Sequence, residues 1–313
     1  MVPSAIALGA LVLFAALLVD RLTGDPHSAW HPVALIGRFI GWWGRPELYS
    51  PNIQRCTGVL LWLVTALLFA APFFLFAALS PWYLYLVIAP FLLKCCFAWR
   101  SLEEHMLAVA DALNDGVESG REKVSMLVSR STATLEREQI LSAGYESMTE
   151  NLTDSIISPL FFFCLFGLTG AAVFRAANTM DAMLGYRDER ERIGWCAARM
   201  DDILNYIPAR ITALLILLHF AQKGRFFPAL RVMRRDGRNR PGFNGGIVMA
   251  AMAGGAGVRF EKPGRYTIGD SERTLDEAGA DILEATRVVT LIFALIAVGT
   301  LFLLGSLINS TVI

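Results

Sequence analysis

Residues 59–79 read VLLWLVTALLFAAPFFLFAAL, twenty-one residues without a charged side chain. As a helix, this stretch would cover about 31 Å, close to the ~30 Å hydrocarbon core of a bilayer. It is therefore predicted to cross a membrane. The composition agrees, because 55% of the 313 residues are hydrophobic and the mean hydropathy is +0.48. Such a chain is too apolar for an ordinary soluble domain.

Five further apolar stretches are predicted as membrane helices. They are residues 5–19, 82–97, 156–174, 203–221 and 288–312. The first has fifteen residues, which is short for a crossing, and the last has twenty-five residues without a charge. The predicted fold is all-α: one polytopic helical membrane domain over residues 1–313, with about five to six membrane helices and amphipathic cytoplasmic helices. Lys94, near the end of the third stretch, is predicted to snorkel to the membrane surface.

Two polar regions separate these stretches. Residues 100–153 have helical apolar spacing and predict a cap of two amphipathic helices joined by a loop. Residues 222–287 predict a basic, glycine-rich loop, since residues 223–240 contain seven Lys or Arg against one Asp. Positive-inside bias places this loop in the cytoplasm. The basic residues either set the membrane topology and contact lipid headgroups, or bind an anion. The runs Asn244-Gly245-Gly246 and Gly254–Gly257 either let backbone N–H groups approach phosphate oxygens or allow helices to pack closely.

Overall composition excludes some classes of function. Lys plus Arg and Asp plus Glu balance at 28 each, so charge gives no reason to expect nucleic acid as a partner. The five cysteines form no C-x-x-C pair, which argues against a structural metal site. The candidate functional side chains are therefore carboxylates, amides and arginines.

These side chains concentrate in residues 146–210, beside predicted membrane segments. Ionisable groups there are costly unless they are paired, hydrated or bound, so they indicate a functional site. On a helix, Glu146, Glu150 and Asp154 share one face. A full crossing by residues 156–174 would split the polar set between compartments, so the helix is predicted to break at Pro159 or Gly167 and re-enter, or the segment after it to fold back into the bundle.

Carboxylates clustered with amides suit Mg²⁺, which takes oxygen ligands and keeps waters and substrate phosphates. Arginines suit the phosphates, because the planar guanidinium binds them through two hydrogen bonds. Together they predict a site for a Mg²⁺-nucleotide or a phosphorylated substrate. The alternative is a self-paired charge network at the membrane surface.

Four motifs follow one another along the chain. They are Asp25-Pro26 with His31-Pro32-Val33, Glu146-Ser147-x-x-Glu150-Asn151-x-x-Asp154, Asn178-Thr179-Met180-Asp181 with Gly185-Tyr186-Arg187, and Asp201-Asp202-x-x-Asn205-x-x-Pro208-Ala209-Arg210. Together they resemble the motifs of the adenosylcobinamide-phosphate synthase (CobD/CbiB) family of cobalamin biosynthesis. The resemblance implies an inner-membrane enzyme with a cytoplasmic active site. It implies the joining of adenosylcobyric acid, a corrinoid, to (R)-1-amino-2-propanol phosphate or a similar aminoalcohol phosphate, with ATP and Mg²⁺. Other cobamide-pathway membrane enzymes are possible partners.

Roles are assigned on this basis to charged and amide side chains. The expected catalytic residues are Glu150, Asp154, Asp181 and Asp202, and the expected Mg²⁺ ligands are Asp181, Asp201 and Asp202. The expected substrate- and phosphate-binding residues are His31, Arg130, Glu146, Asn151, Asn178, Arg187, Asn205, Arg210 and Asn244. His31 is alternatively a helix cap.

Two departures from the family pattern put aminoalcohol preference or activity in question. Ser129-Arg130-Ser131-Thr132 stands where the family usually has Gly-Arg-Asp-Thr, and Gly242-Phe243-Asn244-Gly245-Gly246 where it has Ser-Pro-Asn-Ala-Gly. Two other classes stay open: a transporter, and a non-catalytic membrane sensor or assembly protein similar to a family linked to β-lactamase regulation. The intact Asp-Asp and Asn-Thr-x-Asp runs favour an enzyme.

Overall fold

The computed structural model describes residues 5–25 and 30–311. Pro26 of the first motif and Val312, the end of the last predicted span, lie outside them. The chain forms two compact units: unit 1 is Met1–Ala98, Ser158–Asn205 and Ala294–Ile313, and unit 2 is Trp99–Ile157 and Tyr206–Phe293. The organisation as one integral membrane domain stays a prediction.

Helices make up most of the described residues. In chain order they are α1 (Ala5–Thr23), α2 (Pro32–Trp43), α3 (Gln54–Leu79), α4 (Trp82–Lys94), α5 (Trp99–Asp115), α6 (Val117–Ser125), α7 (Arg137–Leu152), α8 (Ser158–Leu184), α9 (Trp195–Leu204), α10 (Tyr206–Gln222), α11 (Phe226–Asp236), α12 (Gly245–Ala256) and α13 (Leu275–Thr311). A 3₁₀ turn (Pro46–Leu48), a π-helical turn (Thr153–Ile157) and two strands, β1 (Arg259–Lys262) and β2 (Tyr266–Gly269), complete the elements.

The polytopic all-α prediction is confirmed. Within residues 5–25 and 30–311, length and composition mark four helical stretches as able to cross a membrane, and a bent pair of helices as a fifth. They are Gln54–Leu79, Trp82–Asp115, Arg137–Leu184 and Leu275–Leu307, with Trp195–Leu204 plus Tyr206–Gln222 as the pair. These stretches contain the predicted spans 59–79, 82–97, 156–174 and 203–221 and overlap the span 288–312, although several helices run beyond the predicted ends. The outer surface of α3 is apolar, with Leu60, Leu67 and Phe74 more than half exposed, as lipid contact requires.

The predicted re-entrant break lies at Gly167. Its backbone has φ +62° and ψ −154°, a conformation that favours glycine, and Phe166 before it is also non-helical. The rings of Phe162 and Phe174 stack with centroids 5.3 Å apart, whereas twelve residues of straight helix would separate them by about 18 Å. The chain therefore reverses direction inside α8. Each apolar arm of this hairpin is shorter than a bilayer crossing requires, which agrees with re-entry, although re-entry itself stays a prediction.

The snorkelling prediction for Lys94 is wrong. Its side chain is buried and lies 3.0 Å from Asp20 Oδ1, with a second ion pair to Asp25. An unpaired ammonium inside a membrane protein is costly, so these two carboxylates compensate for its burial.

Residues 222–287 are not the predicted loop. They contain α11, α12, a two-stranded antiparallel hairpin and the start of α13. The hairpin pairs Phe260 with Ile268 and Lys262 with Tyr266, and it turns through Gly264 at φ +70°. A hairpin of this size is marginal alone, and β1 packs on α7.

One further detail differs from prediction, and the structure favours one of the two interpretations of the glycine run 254–257. The cap region contains three helices rather than two, because Gly116, at φ +141°, separates α5 from α6. Gly254 and Gly255 serve close packing: a Cβ on Gly255 would lie 2.0 Å from Phe220 Cδ2, and one on Gly254 would lie 2.6 Å from Val232 Cβ. The missing Cβ atoms let α12 approach α10 and α11 closely, so the packing interpretation holds for this run.

Candidate active site

Unit 2 contains a cavity of ≈ 180 Å³ lined mainly by charged and polar side chains. They include three cations and two carboxylates: Arg130, Arg240, Lys262, Glu146 and Glu150. The cations exceed the carboxylates by one. This cavity has a net positive charge and is smaller than the pockets of about 300–1,000 Å³ that hold drug-sized ligands. It therefore suits a small ligand with a phosphate group. We refer to it as the unit 2 cavity.

Glu146 is the centre of the hydrogen-bond network in this cavity. Its Oε2 accepts a hydrogen bond from the phenol of Tyr266 at 2.6 Å, and its Oε1 accepts one from the hydroxyl of Ser142 at 2.8 Å. Arg130 Nη2 lies 3.4 Å from the same Oε1. Burial and the adjacent Glu146 carboxylate raise the pKa of Tyr266, so the phenol stays protonated and donates a hydrogen bond to Glu146. Glu146 therefore holds Arg130 and Tyr266 in place.

Arg130 has two buried guanidinium nitrogens without a hydrogen-bond partner. Within the described residues, neither Nε nor Nη1 is satisfied, whereas Nη2 contacts Glu146. Buried polar groups in proteins are almost always hydrogen-bonded, and a charged donor left unsatisfied is costly. These two nitrogens leave the guanidinium able to donate hydrogen bonds to the oxygens of an anion such as phosphate.

Glu150 and Arg240 form an ion pair at the same cavity. Burial lowers the pKa of Arg240, but the carboxylates of Glu150 and Asp154 and the adjacent Tyr266 outweigh burial and raise it. Asp154 thus acts electrostatically on this pair, although it does not line the cavity. It lies in the π-helical turn Thr153–Ile157, an irregularity that is frequent at functional sites.

Lys262 lies at the end of β1, opposite Tyr266. No ion pair is formed by its ammonium within residues 5–25 and 30–311. Burial lowers the pKa of Lys262, and the charges of Arg130 and Arg240 lower it further. This lysine would gain from a bound anion.

Other predicted residues of unit 2 are held by internal hydrogen bonds. Arg210 donates hydrogen bonds to Asn244 Oδ1 and, at 3.0 Å, to the carbonyl oxygen of Phe243. Its guanidinium also stacks on the ring of Tyr206. Asn151 donates to the Ser147 carbonyl oxygen at 2.9 Å and accepts from Ser155 at 2.8 Å. Arg210 and Asn244 are therefore brought together, with the guanidinium anchored at the start of α12.

Unit 1 brings together three of the predicted residues around Asp201. Its Oδ1 accepts from Asn178 Nδ2 at 3.2 Å, and its Oδ2 accepts from Asn205 Nδ2 at 2.9 Å. Asn205 Oδ1 in turn accepts from the hydroxyl of Ser158 at 2.6 Å. This buried chain connects α8 to α9, so two motifs separate in sequence meet in one cluster.

The remaining predicted residues of unit 1 have other neighbours in the structure. Asp202 is 4.0 Å from Arg199, and Arg187 is exposed. Asp181 has its carboxylate beside Gly185, where a Cβ would lie 2.0 Å from Asp181 Oδ1, so the Asp-x-x-x-Gly spacing leaves room for it. His31 caps α2, its Nδ1 accepting from Val33 N at 3.3 Å, which confirms the capping interpretation.

The Mg²⁺ prediction stays a prediction. Among the described residues no group of three His, Cys, Asp or Glu side chains forms a ready metal site. Carboxylate oxygens are nevertheless the correct donors, and Mg²⁺ usually takes only one or two of them, with phosphates and water completing the shell. The fixed orientation of Asp201 fits such a partial site.

Sequence reasoning missed three cavity residues: Arg240, Lys262 and Tyr266. Arg240 lay in the basic run, where nothing distinguished it from its neighbours. Lys262 and Tyr266 follow from the hairpin, whose signal was present in the alternation of Arg259-Phe260-Glu261-Lys262 and the Pro263-Gly264 turn.

Comparison with known proteins agrees with the motifs. The family model for CobD/Cbib proteins matches residues 13–295. The chain belongs to this CobD/CbiB family. It is 41% identical over 303 residues to a "Probable cobalamin biosynthesis protein CobD" of Methanothermobacter thermautotrophicus, covering 94% of this chain and 98% of the relative. A "Cobalamin biosynthesis protein CobD" of Pelobacter propionicus is 38% identical, covering 94% and 95%, and one of Dehalococcoides mccartyi is 36% identical, covering 85% and 88%.

This CobD/CbiB family member therefore has a role in cobalamin biosynthesis, and the names of its relatives indicate an enzyme of that pathway. The predicted family is confirmed. No solved structure matches the chain.

Proposed function

We propose that the protein is an ATP-dependent amide ligase, which joins adenosylcobyric acid to (R)-1-amino-2-propanol phosphate or a similar aminoalcohol phosphate. The product is adenosylcobinamide phosphate. The observation that supports this most is the pair of unsatisfied guanidinium nitrogens of Arg130 in the unit 2 cavity. A phosphate monoester supplies the oxygens that these donors lack.

The unit 2 cavity is proposed to hold the aminoalcohol phosphate. Arg130, Arg240 and Lys262 provide positive charge for the phosphate, and Glu150 provides a carboxylate for the ammonium group. Its ≈ 180 Å³ suits this small zwitterion better than ATP or a corrinoid, which are far larger.

The proposed reaction first activates the corrinoid carboxylate. A carboxylate oxygen attacks the γ-phosphorus of ATP, ADP leaves, and an acyl phosphate forms. The amine nitrogen then attacks the carbonyl carbon, inorganic phosphate leaves, and the amide bond forms. The protein contributes mainly by positioning and by neutralising charge.

The ammonium group of the aminoalcohol phosphate loses one proton before its nitrogen attacks the acyl phosphate and a second proton after the attack. Glu150 is the proposed acceptor of the first, because its carboxylate is partly exposed at the cavity. The Glu146 carboxylate is already held by Tyr266, Ser142 and Arg130. Glu146 thus acts by orienting its neighbours.

ATP is proposed to use the acidic cluster of unit 1. Bound Mg²⁺ would offset the negative charge of the phosphates. Asp181, Asp201 and Asp202 would supply its carboxylate oxygens, and Asn178 and Asn205 keep Asp201 oriented. The basic residues 223–240 support a cytoplasmic orientation in the inner membrane.

The test uses purified, detergent-solubilised protein with adenosylcobyric acid, aminopropanol phosphate, Mg²⁺ and ATP. Corrinoid mass and nucleotide hydrolysis are followed together, and each component is omitted in turn. Amide-linked product that requires all four components supports the ligase. Corrinoid binding without product, under conditions in which the protein remains folded, argues for a carrier instead.

A further inference from the structure

Helix α11 has two unlike faces. Ala229, Val232 and Asp236 are buried and follow one side of the helix. Phe227, Leu230, Arg231 and Arg234 follow the opposite side by the same 3.6-residue period. The helix is thus amphipathic in an unusual sense, because its outward face combines apolar and basic side chains.

The outward face borders an open groove of ≈ 480 Å³. It is lined by Phe227, Leu230, Arg231, Arg234 and Arg235. Arg235 is neutralised by Asp236 and Asp270, at 2.7 Å and 3.0 Å. Arg231 and Arg234 form no ion pair within the described residues, so the groove has two uncompensated positive charges beside an aromatic ring.

Phe227 indicates what kind of molecule this groove meets. Its side chain is 73% exposed, and α11 begins after only three residues that follow the apolar helix α10. Exposed phenylalanine is unfavourable in water but favourable at the boundary between acyl chains and headgroups. The arginines beside it match the phosphates of anionic lipids.

We infer that the α11 groove binds an anionic phospholipid, with Arg231 and Arg234 on the headgroup phosphate and Phe227 and Leu230 against the acyl chains. One phospholipid molecule would contact both the basic and the apolar side chains of the groove. A free phosphate would leave Phe227 and Leu230 in water. This lipid site is separate from the unit 2 cavity, which contains none of these residues, and it does not depend on the proposed ligase reaction.

The test compares phosphatidylglycerol with phosphatidylcholine binding to the purified full-length protein in detergent, by native mass spectrometry over a lipid titration. The wild type should bind phosphatidylglycerol more tightly. The double variant Arg231→Gln/Arg234→Gln should lose about 30-fold in phosphatidylglycerol affinity, because each basic residue near an anionic surface contributes about a fivefold factor. Its phosphatidylcholine affinity should fall much less, because the choline cation of that lipid already offsets the charge of its phosphate.

Two further variants separate charge from fold. Arg259→Gln/Arg265→Gln removes the same charge from exposed hairpin positions of unit 2 and should bind like the wild type. Phe227→Ser should weaken both lipids about tenfold or more. Equal phosphatidylglycerol affinity in the wild type and the Arg231/Arg234 variant would overturn the proposal. So would full displacement of the lipid by inorganic phosphate, which would reveal a site for free anions.

Discussion

The phenolic oxygen of Tyr266 lies 2.6 Å from Glu146 Oε2, although the two residues are 120 positions apart. This hydrogen bond connects the β-hairpin to α7. Because Glu146 also contacts Arg130, the hairpin helps to fix a guanidinium from another part of the chain. The unit 2 cavity is assembled from five parts of the chain: residues 127–130, α7, Arg240, Met249 of α12 and the hairpin.

Tyr266→Phe should loosen this arrangement. The change removes one hydrogen bond to a buried carboxylate, which costs about 1–3 kcal/mol in the free energy of unfolding. It should lower the Tm in detergent and raise KM for the aminoalcohol phosphate, because Arg130 loses part of its support. Tyr83→Phe, at an exposed position in α4, is the control and should change neither. A wild-type KM for Tyr266→Phe would contradict the positioning role.

Lys262 should make phosphate binding pH-dependent. Burial, Arg130 and Arg240 lower its pKa, so its ammonium loses its charge at a lower pH than an ordinary lysine. Affinity for the aminoalcohol phosphate should therefore fall as pH rises through this lowered pKa. Lys262→Arg keeps the charge and should shift the alkaline decrease to higher pH. Lys123→Arg in α6 should keep the wild-type profile, and an unshifted profile for Lys262→Arg would exclude Lys262 as the group that titrates.

The hairpin shows how far the sequence alone could lead. Its strands and turn follow from local alternation and from Pro263-Gly264, so they could have been predicted. The contact of Tyr266 with Glu146 depends on how the hairpin packs on α7, which no local pattern encodes. Lys94 is similar: Asp25, one of its partners, lies 69 residues away, and the snorkelling prediction considered only its own helix.

The acidic residues of unit 1 should be essential to turnover. Asp181→Ala and Asp202→Ala should each lower product formation by about 100-fold or more, because a carboxylate that offsets phosphate charge in the transition state is lost. Expression and membrane insertion should be retained. Asp188→Ala removes an exposed carboxylate of the same unit, paired with Arg190, and is the control. Wild-type turnover by either variant would remove that residue from the site.

Gly167→Ala should destabilise the re-entrant hairpin. A Cβ is strained at φ +62°, at a cost of about 1–3 kcal/mol, although no neighbouring atom obstructs it. The expected result is a lower Tm and a lower yield of folded protein. Gly299→Ala in α13 also has open space around it and no positive φ, so it should be neutral or slightly stabilising. Equal Tm values for Gly167→Ala and the wild type would contradict the reversal at this residue.

Membrane helices and the break at Gly167 were predictable because apolar length and glycine are local signals. The grouping of Asn178, Asp201 and Asn205 was predictable in part, since their motifs share residue types. The bond from Asn205 to Asp201 is an i, i+4 contact that helical spacing could predict. The bonds from Asn178 to Asp201 and from Arg210 to Asn244 depend on how distant segments pack, which no local pattern encodes.

The most direct test of the account is the binding of (R)-1-amino-2-propanol phosphate to purified protein, by isothermal titration calorimetry, for the wild type and Arg130→Ala. Loss of charge-assisted hydrogen bonds should weaken binding about 10- to 100-fold. Aminopropanol without phosphate should bind weakly and equally to both, and Arg100→Gln, at an exposed ion pair, should resemble the wild type. Equal affinity of the wild type and Arg130→Ala for the phosphorylated ligand would contradict the claim that the unit 2 cavity binds its phosphate.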